Sequence, residues 1–307
     1  MIRRKFLKQT AAASSLIGLG GLTMGMNSNS LLEPNKKHIT ILHTNDVHSH
    51  VEPFPSNDPK YANLGGAARR MNIIQNVRKE NPNTLLLDAG DIFQGTPYFN
   101  FYGGELEFKL MSMMGYDAAT IGNHDFDNGI GGLAAQIPNA SFELLSSNYD
   151  FSNTIMDGLT KPYKVFVKDG VRIGVFGVGI QLSGLVNKTM FKETSYLDPI
   201  ELTTDTVDAL RNKEQCDIVI CLSHLGYSYK NESKISDLTL AAKTSGIDLI
   251  IGGHTHTFLE KPTIVQNKNE KFVLVNQVGW GGINLGRIDF YLDESKNLES
   301  SSLVLDV

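Results

Sequence analysis

The chain has 307 residues, of which 41% are apolar and 20% charged, and its net charge is −5 at pH 7. This is an ordinary globular composition, sized for one large domain or two small ones. With no Lys/Arg stripe to track phosphates, it excludes a nucleic-acid polymer as the partner.

The first predicted element is a leader over residues 1–35. "MIRRKFLKQT" is basic without an acid, and no charge occurs from Gln9 to Leu32. A basic start followed by a short, mildly apolar run reads as an export signal, and Arg3-Arg4-Lys5-Phe6-Leu7-Lys8 resembles a twin-arginine signal. The competing reading is a membrane anchor, against which stand the Gly, Ser, Thr and Asn residues of the run. Export predicts a periplasmic or cell-surface location with no stable membrane span.

A single domain is expected over residues 36–307. It opens with the strand-like run "HITILHTN", which leads into Asp46 and His48. Two positions apart on an extended chain, these side chains point to one side, which suits two ligands on one metal as well as it suits a polar strand end. His50 continues the parity into a loop, and it and His43 are expected to support the ligands from behind or to stand exposed. "TLLLDAG" leads into Asp91. Gly90 would let the backbone approach an ion, and the Asp91 carboxylate has oxygens for two cations; a turn residue or helix cap is the alternative. "FQGTPYFNFYGG" then gathers Phe93, Tyr98, Phe99, Phe101 and Tyr102, which either stack a base, meet a partner or pack under a helix start. "GGELEFKLMSMMG" has a helical face at Leu106, Leu110 and Met113/Met114.

"DAATIG" leads into Asn123 and His124, with Asp125 and Asp127 close behind. Asp125 neighbours His124, points elsewhere, and takes a structural hydrogen-bonding role. Asp127 is placed to cap the next helix and to orient His124, and one carboxylate has lone pairs enough for both. "DPIELTTDTVDALRNKEQ" opens a helix with Asp198 as N-cap and Pro199 at its first position. "DIVICLS" leads into His224, which alone reads first as a satisfied structural histidine. Cys216 and Cys221, about 16 Å apart and on opposite strand faces, cannot bridge and read as core. "ESKISDLTLAAKTSG" is a helix ending at Gly246. "DLIIGG" leads into His254 and His256, a His-x-His pair able to serve neighbouring ions. "PTIVQ", "KFVLVNQVG" and "GINLGRIDFYLD" complete the chain as strands.

Strands alternating with helical patterns indicate a layered α/β fold. In such sheets ligands sit outside the carboxyl ends of the strands, so five runs ending in donors imply one crevice. The set Asp46, His48, Asp91, Asn123, His224, His254 and His256 mixes imidazole, carboxylate and amide oxygen, which suits Zn, Mn, Fe or Co. It exceeds the needs of one tetrahedral ion and fits two divalent metal ions with one carboxylate shared.

Asp46-x-His48, Gly90-Asp91, Gly122-Asn123-His124-Asp125, His224 and Gly253-His254-x-His256 resemble, in order, the motifs of the calcineurin-like metallophosphoesterases. The strings "LHTNDVHSH", "GDIFQGTP" and "GNHDFDNG" are similar to the 5′-nucleotidase branch, over about residues 39–290. The resemblance implies a four-layer α-β-β-α sandwich with two central mixed sheets. It implies one metal site at Asp46, His48, Asp91 and His256, and a second at Asp91, Asn123, His224 and His254, with Asp91 bridging. It makes His124 the catalytic histidine that is not a ligand and Asp127 its acid partner, with Asn123 and His124 meeting the phosphate.

The expected function is therefore an exported phosphoesterase that hydrolyses phosphate monoesters, 5′-nucleotides or related nucleotide esters, by metal-activated hydroxide attack. The alternatives are a phosphodiesterase acting on 2′,3′-cyclic nucleotides, a thiosulfohydrolase-like enzyme, and a subunit inactive until a partner docks. The 5′-nucleotidases that it resembles carry a second, C-terminal domain that holds the nucleoside. This sequence ends at "SSSLVLDV" without one, so a separate nucleoside-binding chain is an expected partner.

Overall fold

The computed structural model describes residues 36–231 and 233–307. The leader lies outside the described residues. The first half of the chain runs β1 (Lys37–Thr44), α1 (Ala67–Glu80), β2 (Thr84–Asp88), α2 (Pro97–Tyr102), α3 (Glu105–Met114), β3 (Ala118–Thr120), α4 (Gly129–Gln136), β4 (Glu143–Leu145) and β5 (Tyr149–Asp150). The second half runs β6 (Tyr163–Lys168), β7 (Val171–Val178), α5 (Lys188–Phe191), β8 (Ser195–Tyr196), α6 (Pro199–Asp208), β9 (Ile218–Ser223), α7 (Asp237–Lys243), β10 (Leu249–Gly252), β11 (Thr263–Gln266), β12 (Phe272–Asn276), β13 (Asn284–Leu292) and β14 (Leu298–Asp306).

Two six-stranded sheets form the centre, in the orders β14-β13-β1-β2-β3-β4 and β11-β12-β10-β9-β7-β6. In the first sheet β1, β2, β3 and β4 are parallel and β13 and β14 pair antiparallel, and in the second a parallel centre is closed by the antiparallel edges β11 and β6, so both sheets are mixed. Alternation along each inner strand divides its side chains between two cores. Ile39 and Ile41 of β1 meet Ile218, Ile220 and Leu222 of β9 between the sheets. Leu42 points the other way, into the helices over the first sheet. Val219 and Cys221 face α6 and α7 over the second. The result is the expected four-layer α-β-β-α sandwich. Among the described residues no helix is long and apolar enough to cross a membrane.

Local chemistry explains most element boundaries. Asp198 caps α6 by accepting from the Ile200 and Glu201 amides at 2.7 and 3.2 Å, with Pro199 at the first helical position. Helix α7 is shorter than expected. Ser236 caps it by accepting from Thr239, and it ends at Lys243, before Gly246. In α3 the buried face is Phe108, Met111 and Met114, while Met113 is exposed, because the Phe108 ring inserts between Phe93 and Phe142. Cys216 precedes β9 rather than lying in it, so both free cysteines share the outer core cluster.

His43 does not stand exposed or behind the ligands. It is wholly buried between the sheets, its Nε2 3.0 Å from Asn276 Nδ2. Burial pushes its ring down from 6.5 to about 3. The unfolded chain therefore binds a proton below pH 6.5 that the native state refuses. The ring costs nothing above that pH, and stability falls as the pH drops toward 3, by about 3 kcal/mol at about pH 4.5. Denaturant titrations of wild type and His43→Gln across that window are expected to diverge by this amount, and parallel curves would contradict the assignment.

Candidate metal centre

The register of the sheets brings the predicted donors to one edge. Thr44 pairs with Asp88 and Asp88 with Ala119, so β1, β2 and β3 end level. In the second sheet Ser223 lies level with Val178 and Gly252. Beyond these ends the chain is no longer extended. Asp46, His48, Asp91, His254 and His256 all adopt left-handed backbone, with φ of 50°, 50°, 54°, 70° and 49°. Asp46 and His48 thus converge through two left-handed bends, not through strand parity. Such conformations cost about 1–3 kcal/mol each and persist where the surroundings over-determine them. Here Asp46 N donates to Gly90 O, His48 N to Asp91 O, and His254 N to both Asp46 carboxylate oxygens. Gly90 serves this packing. A side chain there would stand 2.6 Å from Gly122 N and 2.9 Å from His224 Nδ1, so the glycine admits a neighbouring strand exit instead of an ion.

Two groups of three donors result, each with its ligand atoms within 4.8 Å of one another: Asp46, His48 and His256, and Asp91, His224 and His254. In the first, His48 Nε2 lies 3.1 Å from His256 Nε2, and His256 Nε2 lies 3.4 Å from Asp46 Oδ1. In the second, His224 Nε2 lies 3.0 Å from Asp91 Oδ2, and His254 Nδ1 lies 2.7 Å from Asn123 Oδ1. The same Asp91 Oδ2 lies 3.8 Å from His48 Nε2 in the other group.

The donor chemistry calls for cations. His48 Nδ1 donates to Phe93 O and His224 Nδ1 to Ala89 O, at 3.2 and 2.7 Å. Each neutral ring then carries its lone pair on Nε2. His48 Nε2 aims at another imidazole nitrogen, while His224 Nε2 is buried, without a hydrogen-bond partner, and faces a carboxylate. Only a proton or a metal relieves that arrangement. Burial alone would lower the His224 pKa, but Asp91 and Asp46 outweigh it and raise it to about 10. Burial would raise Asp91, but His224, His48 and His124 hold it well below the carboxylate range. Asp91 thus stays charged and draws positive charge to the imidazoles, which fits divalent ions.

His124 stands apart from both groups. Its amide donates to Asp91 Oδ1 at 2.7 Å, while its ring Nδ1 lies 2.8 Å from Asp127 Oδ2. Asp127 is not the N-cap of α4, since Asn128 holds that position without a side-chain bond. The bond to Asp127 raises the His124 pKa against the effect of burial. Asp125 accepts four backbone N–H bonds, from Gly122, Asp91, Ile92 and Phe93, which locks the β3 exit to the Asp91 loop. Burial pushes its carboxyl up to about 7, yet four accepted bonds need the lone pairs of the ionised form.

Of the aromatics after Asp91, Phe93 and Phe99 are core residues beneath the start of α3, and Phe101 and Tyr102 are exposed. His50 is half-buried, its Nδ1 on the Val47 and His48 carbonyls. Three supporting residues go beyond the sequence-based expectation. Asn45 donates to Asp46 Oδ2 at 2.6 Å and to Gly279 O at 2.7 Å. Buried Asp237 accepts from Ser223, next to His224, and from Gln277, whose amide also holds Gly253 O next to His254. Asn45 adjoins a donor and so carries a signal. Asp237 reads as an ordinary first-turn acid and carries none.

The Calcineurin-like phosphoesterase profile matches residues 39–258, most of the chain. The chain belongs to the calcineurin-like phosphoesterase family. It is 34% identical to the trifunctional nucleotide phosphoesterase protein YfkN of Bacillus subtilis over 94% of its own length, and covers 21% of that protein. It is also 34% identical to the 5′-nucleotidase of Rattus norvegicus, with 86% of this chain and 48% of the relative covered. The crystal structure of a 5′-nucleotidase precursor from Thermus thermophilus superposes with a TM-score of 0.80 at 34% identity, covering 88% of this chain and 55% of that one. The phosphoesterase thus spans about half or less of the length of these relatives.

Proposed function

We propose that this phosphoesterase hydrolyses nucleotide monoesters, 5′-nucleotides first among them, at a two-ion centre. The observation that supports this best is the placement of Asp91 Oδ2 between two three-donor groups, with the His124–Asp127 pair at their rim. Asp46, His48 and His256 would hold one ion, and Asn123, His224 and His254 the other, with Asp91 shared. Two bound divalent ions supply charge to the phosphoryl oxygens and an acidified water at neutral pH. The chain's own residues do the rest. Phe93 O and Ala89 O fix the tautomers of His48 and His224, so that both Nε2 lone pairs face inward. Asp127 takes the Nδ1 proton of His124 as a hydrogen bond and leaves Nε2–H free to meet a phosphoryl oxygen or the departing alkoxide.

Arg3-Arg4 and the uncharged run behind it support export as the route to the periplasm or cell surface. The reaction is tested by phosphate release from AMP, a 2′,3′-cyclic nucleotide and a bis-aryl phosphate diester, after loading with Mn, Zn, Co or Mg in turn. AMP is expected to turn over fastest, with activity abolished by a chelator and restored by added metal. Diester hydrolysis without AMP hydrolysis would replace the reading with a phosphodiesterase. No hydrolysis with any metal would leave a binding subunit.

A further inference from the structure

The loops after β1, β10 and β12 build an aromatic wall against the centre that plays no part in the chemistry above. Trp280, the chain's single tryptophan, lies parallel to the His256 imidazole, with centroids 5.7 Å apart and planes at 6°. Tyr61 meets the indole edge-on at 6.1 Å and stacks against Phe258, also at 6.1 Å and at 20°. Phe54 and His50 stack on one another and back the indole. The wall grades from buried Phe54 to Phe258, which is 42% exposed.

The wall is pinned by the bonds that pin the donors. Gly281 N donates to Asp46 O at 2.8 Å, Gly279 N to Thr257 O at 3.0 Å, and Asn45 holds Gly279 O together with the Asp46 carboxylate. Gly279, at φ 84°, has no room for a side chain because the Phe258 ring fills that space. Tyr61 and Phe258 therefore present π surface at a fixed distance from a metal-group histidine. Lys60 Nζ lies over the Tyr61 ring, 4.9 Å from its centroid. Rings so placed stack planar heteroaromatics and tolerate any base, since every base has a π face.

We infer that Tyr61, Phe258 and Trp280 form a subsite for the planar aromatic part of the substrate, a nucleobase, carried by this chain itself. For the reacting end this rests on the monoesterase reading above; for ring binding it stands alone. Trp280 supplies the readout. Adenosine, which has the base and no phosphate, is titrated into metal-free protein while the tryptophan emission is followed. Saturable quenching is expected with adenosine and none with ribose 5-phosphate. Phe258→Ala and Tyr61→Ala should each weaken adenosine binding about tenfold. In turnover, the same variants should lower the ratio of kcat/KM for AMP over ribose 5-phosphate about tenfold. Phe258→Leu, which keeps apolar bulk without a ring, should do the same. Emission unmoved by adenosine, or variants that lose AMP and ribose 5-phosphate hydrolysis in equal proportion, would overturn the subsite and leave the wall as a brace for His256. Adenosine quenching with no ester hydrolysed would keep the subsite and remove the monoesterase reading.

Discussion

Asparagine in place of Asp91 is expected to lower phosphate release by about three orders of magnitude and to strip metal from the purified protein. The two Asp91 oxygens have separate tasks. Oδ1 accepts the His124 amide, and Oδ2 stands between His224 Nε2 and His48 Nε2. An asparagine keeps an acceptor for the His124 amide and turns its NH2 toward the His224 lone pair, so the β3 exit stays folded. What vanishes is the negative charge that Oδ2 offers to both groups at once. Loss of one donor from a three-donor group would spare the other group, whereas a shared charge weakens both. Metal content by elemental analysis and phosphate release on the same preparation separate these cases. Two ions retained, with turnover near the wild-type rate, would take Asp91 out of the centre.

That Asp91 stands at a strand exit among other potential metal donors is legible in the sequence, while the way these residues meet is not. Apolar runs ending in Asp, Asn or His mark strand exits, and a parallel sheet puts such exits along one edge. The left-handed bends at Asp46, His48, Asp91, His254 and His256 leave only a faint trace, in that Asp and His tolerate this region better than most residues. The β6–β7 hairpin does carry a signal, because Asp169-Gly170, at φ 49° and 74°, is a strong two-residue turn pair. No donor follows β6, so donor-bearing strand ends do not point to it. In α3 apolar residues surround the helix, and periodicity alone does not choose between Leu106/Leu110 and Phe108/Met111. The rings of Phe93 and Phe142 choose. The aromatic wall illustrates the general limit. Tyr61, Phe258 and Trp280 come from three loops far apart in the chain, and only the folded sheets bring them together. The aromatics clustered in sequence, Phe93 and Phe99, go into the core instead.

Removing the His124 ring tests the division of labour within "GNHD". His124→Ala is expected to reduce turnover by about 10²–10⁴-fold, the range for a lost general acid, while both ions stay bound. The bond that ties residue 124 to the centre comes from its backbone amide, which alanine retains. The ring bonds to Asp127, is 40% exposed on the side chain, and meets the donors only through an edge contact with the His48 ring, 5.3 Å between centroids. Asp127→Asn should cost less, about tenfold, because the amide oxygen still accepts from Nδ1 but no longer stabilises the protonated ring. The leaving group distinguishes acid catalysis from simple phosphate binding. An ester of p-nitrophenol departs without a proton, so His124→Ala should impair it far less than AMP if the ring donates one. Equal losses on both esters would make His124 a phosphate ligand instead. Metal lost along with the ring would end the separation of roles altogether, because no side-chain bond from His124 reaches either group.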